Sequence, residues 1–218
     1  MCFSATASFV AGTGLCLLGV ATIRATRRRA EIPFAAIPLI FGLQQLVEGA
    51  VWLSFRFDAP QLNLAMTYLF SMFSHVLWPI FVPFAIGLLE TVPWRRAVIW
   101  GFQGVGLLVG LYLFFLIVEF PVTAVVAENI VYVSPHFYKI PVMLLYLAAT
   151  CVSCFFSSNA TIRLFGALAL VLFVVAYGFY EVALFSVWCF FAALLSAIIF
   201  VHFKFGWRIP ARWLGSAA

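Results

Sequence analysis

Charge is what this chain has least of. Only 9% of its 218 residues are charged, against about 25% in soluble domains. Lysine occurs twice, at Lys139 and Lys204, and both flank apolar runs. No apolar run carries a lysine at its centre, which excludes a retinal Schiff base. The first charge is Arg24, so the positive leader of a cleavable signal peptide is not expected. No basic stripe is interleaved with aromatics, and nucleic acid is not expected as a partner. Five cysteines make an odd count and imply no disulfide framework. Cys16, Cys151 and Cys154 lie in apolar runs and read as free thiols that pack as small hydrophobes.

What fills the chain is apolar side chain, 66% of it, with 18% aromatic. A water-soluble core cannot hide that much, so the surplus has to face lipid. A spanning helix needs about 20 apolar residues, and seven such runs use most of the length. The runs lie near residues 8–23, 33–55, 64–89, 97–120, 138–157, 161–178 and 182–203. Residues 1–218 therefore read as one all-α domain, an integral membrane bundle of seven transmembrane helices in the lipid bilayer. Ten of the twelve Lys and Arg residues fall on one side of this alternation. They are Arg24, Arg27, Arg28, Arg29, Arg95, Arg96, Arg163, Lys204, Arg208 and Arg212, while Arg56 and Lys139 fall on the other. The positive-inside bias then puts the N-terminus outside and the C-terminus in the cytoplasm, as expected of a multi-pass protein of a cell inner (plasma) membrane. The link 121–137 is rich in β-branched residues and reads as an external hairpin or a surface-lying stretch. Gly106-x-x-x-Gly110 in the fourth run reads as a close-packing face.

Ionisable residues inside such runs cost several kcal/mol unless paired, so they mark function. Glu48 lies in the second run and His75 in the third. Each has a polar residue one turn away on the same face, Gln44 and Ser71 respectively. Pro79 and Pro83 cannot donate to the carbonyls of His75 and Pro79, so a broken helix lining a cavity is expected there. Cys189 lies about two turns into the last run, in line with Glu181 and beside Ser186. Cys2 sits in an uncharged segment that could fold back into the bundle mouth. Cys2, Glu48, His75 and Cys189 thus form a candidate set of two thiols, a carboxyl and an imidazole in the outer half. Those donors suit Zn²⁺ with four protein ligands, or with three and a water; copper fits the thiols and imidazole too. The other reading of the same residues is separate roles, with Cys189 packed and Glu48 protonated and bonded to Gln45 or Ser54. Trp78 and Trp188 lie deep enough to wall a pocket.

The blocks Met1-Cys2-Phe3-Ser4-Ala5-Thr6-Ala7-Ser8-Phe9, Leu43-Gln44-Gln45-Leu46-Val47-Glu48-Gly49, Ser74-His75-Val76-Leu77-Trp78-Pro79 and Ser186-Val187-Trp188-Cys189 resemble those of a bacterial family of multi-pass membrane proteins. An N-terminal MCFSA-x-ASF signature marks that family. The resemblance implies the fold and these blocks, and no activity. A looser one is to the alkaline-ceramidase and progestin-receptor-like zinc hydrolases, through Ser71-x-x-x-His75. That family's last-span His-x-x-x-His pair has no counterpart here.

Three functions are compatible with these residues. The first is a metal-dependent hydrolase or hydratase at the outer leaflet, acting on a lipid or a small electrophile. In it Cys2, His75 and Cys189 hold zinc, and Glu48 is the fourth ligand or the base acting on metal-bound water. The second is a proton, ion or small-molecule transporter or channel using Glu48 and His75. The third is a non-catalytic sensor or partner subunit. Oligomeric state is not legible.

Overall fold

The computed structural model describes residues 4–127, 129–134, 139–179 and 184–205. Among them, six helices are long and apolar enough to cross a membrane: Ala5–Arg24, Arg29–Arg56, Pro60–Leu89, Pro93–Glu119, Ala160–Phe179 and Ser186–Phe205. A shorter apolar helix, Ile140–Phe155, lies between the fourth and fifth of these. At 1.5 Å per residue it is about 24 Å long, short of the ~30 Å hydrocarbon core. In chain order these seven are called helices one to seven.

The helices run alternately up and down, because their ends meet in two groups. At one end Asn63 donates to the Ser54 hydroxyl across the link between helices two and three (2.9 Å). That link turns through Asp58, whose φ of 47° is left-handed, a conformation Asp tolerates better than most residues. The expected hairpin covers the same end. Strands Thr123–Val126 and Ile130–Val133 pair antiparallel, with Thr123 opposite Val133. Ile130 and Tyr132 are its buried residues facing Val51 and Phe70, and the Tyr132 and Phe70 rings stack at 4.2 Å.

At the other end Phe34 and Phe203 place the start of helix two beside the end of helix seven (ring centroids 6.4 Å apart). Glu90 ties two links together there. Its carboxylate accepts the N–H groups of Thr91 and Val92 at 3.0 Å and that of Ser158 at 2.6 Å. Arg95 and Arg163 donate to the carbonyl oxygens of Phe156, Ser157 and Ser158 that follow helix five, groups a helix end leaves without donors. Burial alone would push the Glu90 carboxyl up, but the Ser158, Val92 and Thr91 donors outweigh it and hold it below its ordinary value. A lowered folded-state value means the stabilisation is full above the unfolded value and lost as pH falls through the folded one. The thermal midpoint in detergent is therefore expected to drop as pH falls from about 5 toward 3. Glu90→Ala should lower the midpoint at neutral pH and remove the part of that acid dependence that Glu90 supplies. An unchanged acid profile would show that this carboxylate does not tie the links.

Glycine sets the closest helix contacts. On helix one, a Cβ at Gly12 would meet the Gly42 carbonyl and one at Gly19 the Leu39 backbone, both on helix two. On helix four, a Cβ at Gly106 would overlap the Pro79 carbonyl oxygen of helix three, and one at Gly110 would meet Ile80. The Gly106/Gly110 face is thus the packing face expected from its spacing. The Gly12/Gly19 and Gly42 seam is a second such face, and the glycines seven apart on helix one are its signal in the sequence.

Candidate functional site

Helix three is not regular. Residues Met72–Leu77 form a π-helical segment between Pro60–Ser71 and Trp78–Leu89. In the i→i+5 register the donor for the Ser74 carbonyl would be the N–H of residue 79, and proline has none. The Tyr146 hydroxyl of helix five fills the gap, donating to that carbonyl at 2.5 Å. The break expected near His75 is present, but the carbonyl that finds an outside donor is that of Ser74. Helix five has its own π segment at Ala148–Val152, so two irregular segments come together through Tyr146.

The buried polar residues gather around this junction. The Trp78 indole N–H donates to Gln44 Oε1 at 2.7 Å, and Phe41 stacks on the Trp78 ring at 3.9 Å. The Gln44 carboxamide lies against the Cys189 thiol, and Glu48 is close enough to act on that thiol electrostatically. The Ser186 hydroxyl donates to Glu48 Oε1. Gln44, Glu48 and Ser186 are at most 1% exposed and Cys189 is 2% exposed. Helices two and seven thus bring together Glu48 and Cys189, 141 positions apart in the sequence.

The carboxyl partner anticipated from sequence, Gln45 or Ser54, is replaced by Ser186. The Ser54 hydroxyl instead donates to the Val51 carbonyl at 2.6 Å, and the buried Gln45 carboxamide has no hydrogen-bond partner among the described residues. His75 is also buried, but its ring turns to its own helix. Nδ1 and the Ser74 hydroxyl are 2.7 Å apart, and the ring also hydrogen-bonds the Ser71 backbone. The Ser71 hydroxyl donates to the Thr67 carbonyl at 2.8 Å. Among the described residues, no three His, Cys, Asp or Glu side chains form a group that could hold a metal ion. Cys2 and Glu181 lie outside the described residues.

Beside the cluster is a cavity of ≈ 30 Å³ walled by Phe41, Trp78, Val82, Tyr146, Phe165 and Trp188, with Thr150, Cys151 and Cys189 in its lining. That is room for about two waters. Trp78 and Trp188 wall it as expected. Trp188 is fixed by its indole N–H to the Ala169 carbonyl (2.9 Å) and by edge contacts with Phe173 and Tyr146. Tyr146, Thr150 and Cys151 carry no sequence mark of a site, yet line the cavity. Cys151 and Cys154, expected in the core, are both fully buried. The usable signal was Pro79, which removes one donor from helix three and so requires another from a neighbour.

The family described as "Family of unknown function (DUF6629)" matches the chain over residues 1–212. The chain belongs to that family. The match includes Gln44, Glu48, Ser74, His75, Trp78, Ser186 and Cys189, together with the opening block. No curated protein and no solved structure matches the chain.

Proposed function

We propose that this is a seven-span protein of a cell inner membrane, N-terminus outside and C-terminus cytoplasmic, that carries protons or a small cation through its outer half. The orientation rests on the basic residues, since the ends holding Arg95 and Arg163 also hold most of the chain's positive charge. The function rests on one observation. Titratable side chains of helices two, three, five and seven, namely Glu48, His75, Tyr146 and Cys189, are buried inside the bundle, three of them on helices of membrane length. Hydrogen bonds join Ser186 to Glu48, Ser74 to His75 and Tyr146 to Ser74. Buried carboxyl and imidazole groups of this kind mark proton relays in membranes, because their desolvation is costly and is tolerated where they exchange a proton. Water in the adjacent cavity would bridge the Tyr146 and Cys189 sides. Proton flux into liposomes carrying the purified protein tests this. Wild type should show flux above empty liposomes, and Glu48→Gln, which keeps the shape and removes the titration, should abolish it. Equal flux in the two proteins would refute the relay.

A second reading is a zinc or copper site serving hydrolysis or hydration, and the closeness of Glu48 to Cys189 favours it. Cys2 and His75 would be its further ligands, and Glu48 a ligand or the base on a metal-bound water. Metal quantitation separates the readings. One bound ion in wild type, lost in Cys189→Ser, supports the metal site; near-zero metal in wild type, Cys189→Ser and His75→Ala ends it.

A further inference from the structure

At the end of the bundle that carries Glu90, two cations converge on one point. Arg95 Nη1 donates to the carbonyl oxygens of Phe156 and Ser157 at 3.3 Å each. Arg163 Nη1 donates to those of Ser157 and Ser158 at 2.8 and 3.0 Å. Both guanidiniums thus grip the Ser157 oxygen, and their Nη1 atoms lie within about 6 Å of each other, close enough for like charges to repel. Closing the end of helix five occupies a single nitrogen of each fork. Among the described residues, no hydrogen bond uses Nε or Nη2 of either arginine, and both side chains are half-buried, still open to an incoming group.

Counter-charge is short at this end. Among the described residues its carboxylates are Glu31 and Glu90. Glu31 pairs with Arg28 at 2.8 Å, the only salt bridge among the described residues. Glu90 accepts three backbone N–H groups and offsets at most one of the two charges, while the exposed Arg96 adds a third. Arg95 and Arg163 each stand in the first turn of a helix, helix four from Pro93 and helix six from Ala160. The helix dipole disfavours a cation there and favours an anion. Depth then selects the anion. Trp94 is 57% exposed, and the Arg95 guanidinium lies over its ring at 4.8 Å. An exposed tryptophan at the end of an apolar span marks the headgroup level, where the available anion is a lipid phosphate. Guanidinium forks match the paired oxygens of a phosphate, and basic pockets between spans bind such headgroups. A choline headgroup would bring its own cation against the two arginines, so a net negative headgroup fits better.

We infer that Arg95 and Arg163 clasp the phosphodiester of a net-anionic glycerophospholipid, of the phosphatidylglycerol type, in the leaflet at this end of the bundle. This inference is independent of the Glu48 relay.

The test is native mass spectrometry of the purified full-length protein in detergent, titrated with phosphatidylglycerol and with phosphatidylcholine of the same acyl chains. Wild type should hold the first phosphatidylglycerol about tenfold more tightly than the first phosphatidylcholine, the factor for one charge-assisted hydrogen bond. Arg163→Gln should erase that preference. Arg96→Gln removes an equal charge beside the clasp and should keep it. Because Arg163→Gln also gives up part of the closure of helix five, Arg95→Lys and Arg163→Lys form a second pair. Each keeps the positive charge and a donor for the carbonyls but loses the fork, and each should lower the preference about threefold or more. A photoreactive phosphatidylglycerol should label residues 93–96 or 157–163 of wild type. Equal binding of the two lipids, a preference that survives Arg163→Gln or both lysine variants, labelling confined to other segments, or an equal loss in Arg96→Gln, the mark of diffuse charge attraction, would each overturn the site. Displacement of phosphatidylglycerol by inorganic phosphate at equal concentration would overturn the lipid as occupant and assign the clasp to a free anion.

Discussion

Gly106→Ala is expected to be among the most damaging single-methyl changes in this protein. The added Cβ would occupy the space of the Pro79 carbonyl oxygen. That atom belongs to backbone, so no rotamer change relieves the overlap, and the two helices must separate. Overpacking costs about 1–3 kcal/mol, occasionally more, and a backbone obstacle places this case at or above the upper end. Separation would also disturb the π segment of helix three and the Glu48 junction beyond it. Gly110→Ala should be milder, because the Cβ there would meet the flexible Ile80 side chain. Gly104→Ala is the internal control. Nothing lies within 4 Å of its Cβ position, and alanine's better helix propensity is worth up to about 1 kcal/mol. Thermal unfolding in detergent should rank the variants Gly104→Ala, Gly110→Ala, Gly106→Ala in falling order. A Gly106→Ala midpoint equal to that of Gly104→Ala would mean that helices three and four do not pack through this glycine.

Tyr146→Phe removes one oxygen and should cost about 1–3 kcal/mol, the penalty for a buried acceptor left without a donor. The usual argument for tolerance, that a helix carbonyl keeps its own N–H, does not apply at Ser74. Pro79 removes the donor that the π register would use, and the Tyr146 hydroxyl replaces it. Ring volume and the edge contact with Trp188 are kept in the phenylalanine variant, so any loss reports the hydroxyl. Tyr177→Phe, at a position 45% exposed, should leave the midpoint unchanged. If Tyr146→Phe is as stable as wild type, the Ser74 carbonyl has another donor and helices three and five are joined by packing alone. If the relay reading holds, the same variant should also slow proton flux, since it loosens the helix three segment that positions the Ser74–His75 pair.

The apolar runs and the all-helical class are local quantities, legible from the residues alone; six of the seven runs form helices of membrane length. Legible too was the burial of Gln44, Glu48, Ser71, His75, Trp78, Ser186 and Cys189, because polar groups spaced one turn apart on an apolar helix face inward wherever lipid surrounds it. The hairpin, one of the two readings of the 121–137 link, and the Gly106/Gly110 face could be read for the same reason, each being a property of a few consecutive positions. Helix five comes out shorter than expected, 16 residues, because Lys139 is extended and caps its start and the helix stops at Phe155, with Phe156 as its C-cap.

Pairing was not legible. Burial says that Glu48 needs a partner; it does not say that the partner is Ser186, 138 residues away, because any helix rotated by one residue would offer a different side chain. His75 illustrates the same limit. Its type and depth fit a metal ligand, but the π segment turns the ring onto Ser74 and the Ser71 backbone. An inserted residue shifts every later side chain by about 100° around the axis, which no spacing rule for a regular helix anticipates. The residues by themselves determined a lipid-embedded helical bundle with polar groups at its centre. The tertiary structure decided which of those groups meet, because that depends on helix rotation and on how closely glycine lets two backbones approach.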